Sequence, residues 1–405
     1  MLHTARYSWV VLCVLAAACA DKDAAPCDCS SPDCLDSRCT CSNWQPLDQF
    51  TALDTWSTLH VQPRAAAQPD GSLWLTFIAS GTDNLDIFLA RLSKEGAITW
   101  GPTQVNEFTA GVQNEPRLAM RADGGGVVCF GSSDNDGNNQ SFARPFAADG
   151  TFGAEHEITI DGKSVWQAAC AVHDNGYVAV GMRPNDAGTN WELWLTKLDA
   201  SAAPVGAGVR LDELNDGGTP SRPEIVVNGP ASTIGVTWQR YFIDKASLRF
   251  ADSNLGVLAS EIDLGEVMQG DIPSITRLGD GFLVTSTGHG TGAYFDVLGR
   301  TYDAAGVAGG SPVQLNDAWN ELRAFPAASC FDAAHCAIIW VTVDGTSLHG
   351  YRRWVDFDRG ILGPEEPLSS ALFRPYAPGV VATECGAWAF WVGSPNVIRG
   401  TSFAN

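Results

Sequence analysis

Charged side chains recur at the starts of several predicted strands in this chain of 405 residues. These residues are Glu115, Arg117, Arg222, Glu224, Glu321, Arg323 and Arg374. A guanidinium group binds a carboxylate or a sulfate through two parallel hydrogen bonds. A ring of these arginines could therefore hold an acidic ligand. The acidic and basic members could instead neutralise one another as ion pairs, which is the simpler interpretation.

Aromatic side chains occupy the longer predicted loops and could add a second kind of contact. They are Phe108, Trp191, Tyr241, Phe242, Trp319 and Phe373. Exposed aromatic rings stack on sugar faces and dominate many protein interfaces. The alternative is that they cover junctions between structural repeats. Trp74, Trp238, Trp340 and Trp391 differ from these, because they lie within apolar runs and are predicted to belong to the core.

One segment has the oxygen ligands that a hard cation prefers. In "DNDGNN", Asp134, Asp136 and Asn138 stand at alternate positions, as in many calcium sites. The segment lacks the later glutamate of the common twelve-residue calcium loop, and Asx-Gly sequences also form turns without metal. Calcium is thus a possible ligand, and no other cofactor is predicted.

The search for catalytic motifs is largely negative. No HExxH zinc motif, GxSxG nucleophile turn or phosphate-binding loop is present, and the seven histidines are scattered. The chain has 46 acidic residues, so a pair of catalytic carboxyl groups is still an alternative. The distance between two such groups is set by the fold and not by their spacing in the sequence. We therefore expect a non-enzymatic protein, with a glycoside hydrolase or lyase as the alternative.

The cysteines outside the N-terminal region indicate an oxidising compartment. Cys330 and Cys336 flank a predicted turn and are expected to form a cross-strand disulfide. Cys129 and Cys170 lie in adjacent repeats and could either bridge them or remain free thiols in the core. Cys385 has no evident partner.

The first nineteen residues have the pattern of a secretory signal. Arg6 precedes an apolar run, Trp9–Ala18, which is too short to span a bilayer. The run ends in "LAAAC", which resembles a bacterial lipobox with Cys19 as the lipidated residue. Ordinary cleavage within the alanine run is the alternative. Residues 20–43 are then predicted to form a cysteine-rich tether. Its cysteines are expected to form disulfides, with a zinc site as the alternative.

Export with a lipid on Cys19 would place the protein in the cell envelope. We expect an outer-membrane lipoprotein that faces the periplasm or the cell surface. The formal net charge is −21, which argues against nucleic acid and anionic lipid surfaces as partners. Contact with the membrane is therefore expected through the lipid anchor only.

Residues 44–405, which include all the candidate site residues named above except Cys19, follow a repeated pattern. A tight turn, first seen at Asp70-Gly71, recurs seven times at intervals of 51 to 54 residues, with apolar β-type segments around it. This period predicts an all-β fold, a seven-bladed β-propeller of four-stranded blades. The last repeat lacks a fourth strand. The segment Gln45–Phe50 is predicted to pair with Val397–Phe403 and close the ring.

The second repeat reads "PTQVNEFTAGVQNEPRLAMRADGGGVVCFGSSDNDGNN" and resembles repeats of large secreted bacterial propeller proteins. That pattern is roughly VN…T.G.Q..P..A…DGG.VV.W, often found beside calcium-binding toxin-type repeats. The resemblance implies a propeller in an extracellular setting and transfers no catalytic residue. It is strongest in the first three repeats, and several later ones depart from the DGG core.

Together these patterns predict a monomeric, exported propeller that binds an extracellular protein or glycan. The face that carries the longer loops and the mouth of the central channel is the expected binding surface.

Overall fold

Short apolar runs separated by Asp-Gly and similar turns fold into antiparallel hairpins throughout the chain. The computed structural model describes residues 50–53, 61–68, 70–81, 84–133, 138–213, 217–229, 232–264, 273–289, 295–317, 322–344, 347–372, 378–383, 386–393 and 397–404. All of these belong to one unit, Gln45–Asn405. Within these ranges no helix is long and apolar enough to cross a membrane.

The strands of the first half build three blades and a small hairpin. They are β1 (Phe50–Leu53), β2–β5 of blade 1 (Val61–Ala67, Leu73–Ser80, Leu85–Leu92, Ile98–Gln104), β6–β9 of blade 2 (Val112–Met120, Gly126–Ser133, Asn139–Phe146, His156–Glu157), the hairpin β10–β11 (Thr159–Ile160, Lys163–Ser164), and β12–β15 of blade 3 (Trp166–His173, Gly176–Pro184, Trp191–Leu198, Pro204–Arg210).

The second half builds the remaining four blades. They are β16–β19 of blade 4 (Thr219–Asn228, Thr233–Tyr241, Lys245–Ala251, Ile262–Asp263), β20–β23 of blade 5 (Ser274–Leu278, Gly281–His289, Phe295–Tyr302, Val313–Gln314), β24–β28 of blade 6 (Leu322–Cys330, His335–Asp344, Ser347–Asp356, Ile361–Leu362, Glu366–Leu372), and β29–β31 of blade 7 (Gly379–Thr383, Gly386–Gly393, Val397–Ala404). In blade 6, β27 and β28 both pair with β26 and share the outer position.

Strand β1 completes blade 7 and closes the ring. It pairs antiparallel with β31, with Phe50 opposite Gly400 and Leu53 opposite Ile398. The prediction of a seven-bladed propeller closed by an N-terminal strand is therefore confirmed. The closing strand extends further along the chain than the predicted Gln45–Phe50, of which only Phe50 lies among the described residues.

The core lies between the blades, on the faces of the second and third strands. The second strands of blades 1 and 2 are buried along nearly their whole length. Trp74, Trp238, Trp340 and Trp391 are all at most 2% exposed, which confirms their prediction as core residues. The ring of Trp74 packs edge-on against Phe146 of the next blade, with centroids 5.0 Å apart.

The described residues contain two disulfides: the predicted one, and one between the two cysteines for which the sequence left a bridge or free thiols open. Cys330 and Cys336 stand opposite each other on β24 and β25 and are bonded. Cys129 of blade 2 is bonded to Cys170 of blade 3, so this bridge crosses a blade junction. Cys385 and the cysteines of the N-terminal segment lie outside the described residues.

Three blade junctions share a polar clasp, formed by an arginine on the third strand of blades 2, 4 and 6. Arg144 donates to the Val105 carbonyl at 2.6 Å, and Arg353 donates to the Leu315 carbonyl at 2.7 Å. Arg249 makes the same bond to Leu211. Each arginine also forms an ion pair with an acid two residues beyond that carbonyl, namely Glu107, Glu213 and Asp317.

A glutamate from the same blade completes each clasp. Glu155 accepts the backbone N–H of Glu107 at 2.6 Å, and Glu261 and Glu365 accept the equivalent N–H of Glu213 and Asp317 at 2.7 Å. The clasps recur about every two repeats. The clasps therefore join blades 1 and 2, 3 and 4, and 5 and 6, while the Cys129–Cys170 disulfide joins blades 2 and 3.

Candidate functional site

Among the described residues, the inner strands of five blades contain the same bulge. In each, the register with the second strand shifts by one residue, and the bulged residue has a positive φ between 49° and 54°. These residues are Gln62, Glu115, Gln167, Arg222 and Phe325. A positive φ costs a residue with a Cβ roughly 1–2 kcal/mol. Tertiary structure therefore holds five strained residues at equivalent positions around the axis.

The bulge brings polar side chains from separate blades into contact. Gln167 donates from Nε2 to Glu115 Oε1 at 3.3 Å and accepts the backbone N–H of Arg222 at its Oε1 at 2.7 Å. These contacts link blades 2, 3 and 4 in sequence. The bulged residues thus line the inner edge of the ring.

The residues two positions later extend the contacts across the channel. Arg64 of blade 1 and Arg117 of blade 2 both approach Glu224 Oε1 of blade 4, at 3.4 and 3.5 Å. We name Arg64, Glu115, Arg117, Gln167, Arg222 and Glu224 the channel cluster. It contains three guanidinium groups and two carboxyl groups.

The channel cluster lies toward one end of the ring. We name this end the loop face, because it contains the second-to-third-strand loops of blades 3 and 4, Asn185–Asn190 and Phe242–Asp244. In blade 4, Thr219 at the start of the inner strand is opposite Tyr241, which leads into that loop. Arg222 follows Thr219 by three residues and is exposed to solvent. The opposite end, with tight turns such as Asp123-Gly124, is the turn face.

Burial and mutual repulsion shape the electrostatics of the channel cluster. Burial, and then the nearby Arg117 guanidinium, lower the pKa of Arg64 to about 10, although the carboxylate of Glu224 opposes this. Burial also raises the pKa of the Glu115 carboxyl, and Arg117 is the strongest of the three arginines that oppose the rise. Arg64 is thus still protonated at neutral pH, and Glu115 is held nearer to its neutral form than an exposed glutamate.

A cavity of about 110 Å³ adjoins the cluster inside the channel. Arg64 and Glu224 supply its charged wall, while Phe325 and three prolines, Pro273, Pro326 and Pro378, contribute rings. The channel therefore offers a charged side and an apolar side within one small space.

The structure brings together four of the predicted charged residues. Glu115, Arg117, Arg222 and Glu224 belong to the channel cluster. Arg323 lies elsewhere: it is 2% exposed and faces Asp296 at 3.5 Å between blades 5 and 6. The ion pairs to Glu224 also match the prediction that acids and bases in the ring neutralise one another. Arg374 lies outside the described residues.

The predicted aromatic residues separate into two groups. Trp191 is partly buried against Trp166, with ring centroids 5.8 Å apart, and both pack against the core of the junction between blades 3 and 4. Tyr241 is 54% exposed, and its neighbour Phe242 is 74% exposed. Tyr241 and Phe242 thus form an aromatic tip on the loop face, and Trp191 supports the junction. Trp319 is outside the described ranges.

Four residues of the channel were not predicted from the sequence: Gln62, Arg64, Gln167 and Phe325. In four of the five bulges, a proline follows the bulged residue, as in Gln62-Pro63-Arg64 and Glu115-Pro116-Arg117. A repeated x-Pro-x unit was therefore the available signal for Gln62, Arg64 and Phe325, whereas Gln167 is followed by Ala168 and had no such signal.

The predicted calcium segment cannot be placed. Asp134 and Asp136 lie outside the described residues, and Asn138 is exposed. Among the residues that the structure does describe, no group of three or more His, Cys, Asp or Glu side chains could hold a metal ion.

Comparison with known proteins identifies the fold and nothing finer. The sequence matches no established protein family and no curated protein. A hydrazine synthase of Kuenenia stuttgartiensis has a TM-score of 0.56 at 12% identity over 87% of this chain and 98% of the other. A Dyadobacter fermentans protein of unknown function has a TM-score of 0.55 at 13% identity over 77% and 99%.

A Hadza microbial sialidase has a TM-score of 0.50 at 11% identity over 72% of this chain and 66% of the other. At such identities, the likeness shows a shared fold and transfers no activity. The fold and the site together define a closed seven-bladed β-propeller with a charged cluster in its channel.

Proposed function

We propose that this protein is an exported, lipid-anchored binding module that recognises an extracellular protein or glycan at its channel mouth and works as a monomer. The observation that carries this proposal is the channel cluster, in which side chains from four blades converge beside a cavity. No single blade could build this arrangement, and the surrounding structure holds its bulged residues in a strained backbone conformation. Such strain is concentrated at binding sites more than in ordinary framework.

A binding screen tests the proposed role. The exported protein, extracted in detergent, is applied to a glycan array and used to capture envelope and extracellular proteins. A ligand whose binding is lost in Arg222→Ala and kept in Arg277→Ala supports the proposal, because Arg277 is exposed near the turn face. Ligands bound equally by both variants would place recognition outside the channel mouth.

The anchor has an independent test. Cys19→Ser is expected to move the protein from the membrane fraction to the soluble fraction, and protease treatment of intact cells separates a surface location from a periplasmic one. Unchanged membrane partitioning of the variant would contradict lipidation.

A glycoside hydrolase or lyase is the second candidate, and one observation favours it. Burial raises the pKa of Glu115, while the carboxylate of Glu224 contacts two guanidinium groups. Two carboxyl groups in such different surroundings are typical of a proton donor and an ionised partner. Release of reducing ends from polysaccharides, abolished by Glu115→Gln or by Glu224→Gln, would favour this activity over simple binding.

A further inference from the structure

We infer that the channel mouth recognises a single carboxylate on a sparsely charged sugar chain, such as one uronic acid within a neutral glycan. This inference rests on the proposed binding function and specifies the ligand of the same site. Three features of the channel cluster lead to it: its excess of guanidinium groups, its mixture of donors and acceptors, and the flat rings beside it.

The guanidinium groups of Arg117 and Arg222 retain capacity for an anion. The contact from Arg117 to Glu224 is 3.5 Å, longer than the 2.7–2.9 Å typical of a strong charge-assisted hydrogen bond. Arg117 Nε is buried and has no hydrogen-bond partner among the described residues. In the part of the chain that is described, the exposed Arg222 side chain makes no ion pair. A planar carboxylate from a ligand could therefore accept shorter bonds than those already present.

The repulsion within the cluster also favours an anion. Arg117 is the main neighbouring charge that depresses the pKa of Arg64. A negative charge between these guanidinium groups would relieve that repulsion in a mostly buried place, where charges are weakly screened. Binding of one carboxylate would therefore stabilise the site as well as the ligand.

The net charge of the whole chain limits the ligand to few charges. A chain with a formal charge of −21 presents a mostly acidic surface to a polyanion. A long, heavily sulfated chain would extend beyond the channel cluster and meet that surface within the screening distance of about 8 Å. An isolated carboxylate would meet the guanidinium groups of the cluster alone.

The amide and carboxyl groups beside the arginines suit hydroxyl groups. The amides of Gln62 and Gln167 and the carboxyl of Glu115 lie near the arginines, and Gln62 Oε1 is buried without a hydrogen-bond partner among the described residues. A sugar hydroxyl donates and accepts at once, so it can satisfy such a mixed set. A ligand with one acid and several hydroxyls fits these groups better than a simple inorganic anion.

The rings beside the cluster would hold the sugar faces. Phe325 and the three prolines line the cavity, and the exposed Tyr241 and Phe242 extend from the same blade as Arg222. Tyr241 is opposite Thr219, three residues along the strand from Arg222, which is roughly 10 Å. A chain whose acidic residue contacts Arg222 could therefore place a neighbouring sugar at the aromatic tip.

Calorimetric titration of the exported protein with two matched probes tests this inference. The probes are xylotriose and xylotriose substituted with one glucuronic acid. We expect the acidic probe to bind at least tenfold more tightly. Arg222→Ala and Arg117→Ala should each weaken it at least tenfold, Arg222→Lys should weaken it severalfold because the planar fork is lost, and Arg277→Ala should leave it unchanged.

The controls separate the possible failures. Thermal unfolding checks that each variant is folded, and the exposed position of Arg222 makes its variants the decisive ones if Arg117→Ala unfolds. Equal binding of both probes, no binding of either, or preferential binding of heparin fragments or acidic peptides would overturn the inference. If the acidic sugar does not bind but another partner is captured by the native protein and lost in Arg222→Ala, only the inference about the ligand fails. If no partner is captured in this way, the inference and the proposed binding function both fail.

Discussion

Glu115 has a carboxyl group whose charged form is disfavoured by burial, although three arginines lie nearby. A carboxyl with a raised pKa in the folded state binds more protons there than in the unfolded chain. The free energy of unfolding therefore falls as pH rises from the ordinary glutamate pKa, about 4.3, through the raised value. The loss of stability caused by burying the Glu115 carboxylate is complete at pH values above the raised pKa and absent below the ordinary pKa.

Replacement of Glu115 by glutamine should remove this cost. We expect Glu115→Gln to be more stable than the native protein at pH 8 and nearly equal to it at pH 3.5, as measured by urea unfolding. Glu95→Gln is the matched control, because Glu95 is exposed and the change in formal charge is the same. A loss of stability at pH 8 would mean that attraction to the arginines outweighs burial.

Individual residues of the site were only partly predictable. Glu115, Arg117, Arg222 and Glu224 were found because charged residues recur where the chain enters the inner strands. Arg64 was missed because its partner, Glu224, is 160 residues away and meets it only across the closed ring. Arg323 was grouped with these residues, but it lies two residues before the bulged Phe325, whereas Arg117 lies two residues after the bulged Glu115, and it faces the buried Asp296 at a blade junction.

At the scale of strands and hairpins, the repeat of about 52 residues was visible in the turns, but the pairing of blades was not. The clasp arginines, Arg144, Arg249 and Arg353, stand on third strands, where arginine is also common as a solvent-facing residue. Their role depends on a carbonyl in the preceding blade, which no local pattern reveals.

Loss of a clasp should destabilise the ring measurably. Arg249 is 4% exposed and bonds the Leu211 carbonyl and Glu213. We expect Arg249→Met to lower the free energy of unfolding by about 2–3 kcal/mol, since the carbonyl and the carboxylate lose a charged donor. Arg359→Met, at an exposed arginine, is the control in the same urea titration. A change below about 0.5 kcal/mol in Arg249→Met would show that the clasp is dispensable.

The two disulfides should differ in their contribution to stability. Cys129–Cys170 closes a loop with a sequence separation of 41, and Cys330–Cys336 one with a separation of 6. Chain entropy predicts about 4 kcal/mol for the first and about 2 kcal/mol for the second. Paired Cys→Ala variants of each bridge, unfolded in urea without reductant, measure both. A larger loss of stability without Cys330–Cys336 than without Cys129–Cys170 would show that the entropy of the unfolded chain is not the main source of their stabilisation.

At the scale of the whole molecule, closure by β1 was predicted because the last repeat lacked its outer strand and the N-terminal segment resembled the missing one. The exact pairing of the closing strand was less predictable, since a short edge strand has few side chains that fix its register.

Removal of the closing strand should open and destabilise the ring. A chain that begins after Asp54 loses β1, while a control that begins at Gln45 keeps it. We expect the free energy of unfolding to fall by about 3 kcal/mol, with roughly 1 kcal/mol for each of about three hydrogen bonds between β1 and β31. Light scattering should also show aggregation, because the edge of β31 becomes exposed. Equal stability of the two chains would mean that closure by β1 is unimportant.

The position of β1 has a mechanical consequence for a tethered protein that holds a ligand at its mouth. A pull on the N-terminal end of β1 along the axis of that strand would be resisted by its pairing with β31. Hydrogen bonds between antiparallel strands lie perpendicular to that axis. Such a pull would shear all the bonds of the seam together, rather than peel them apart one at a time, so the latch resists force best along the axis of β1.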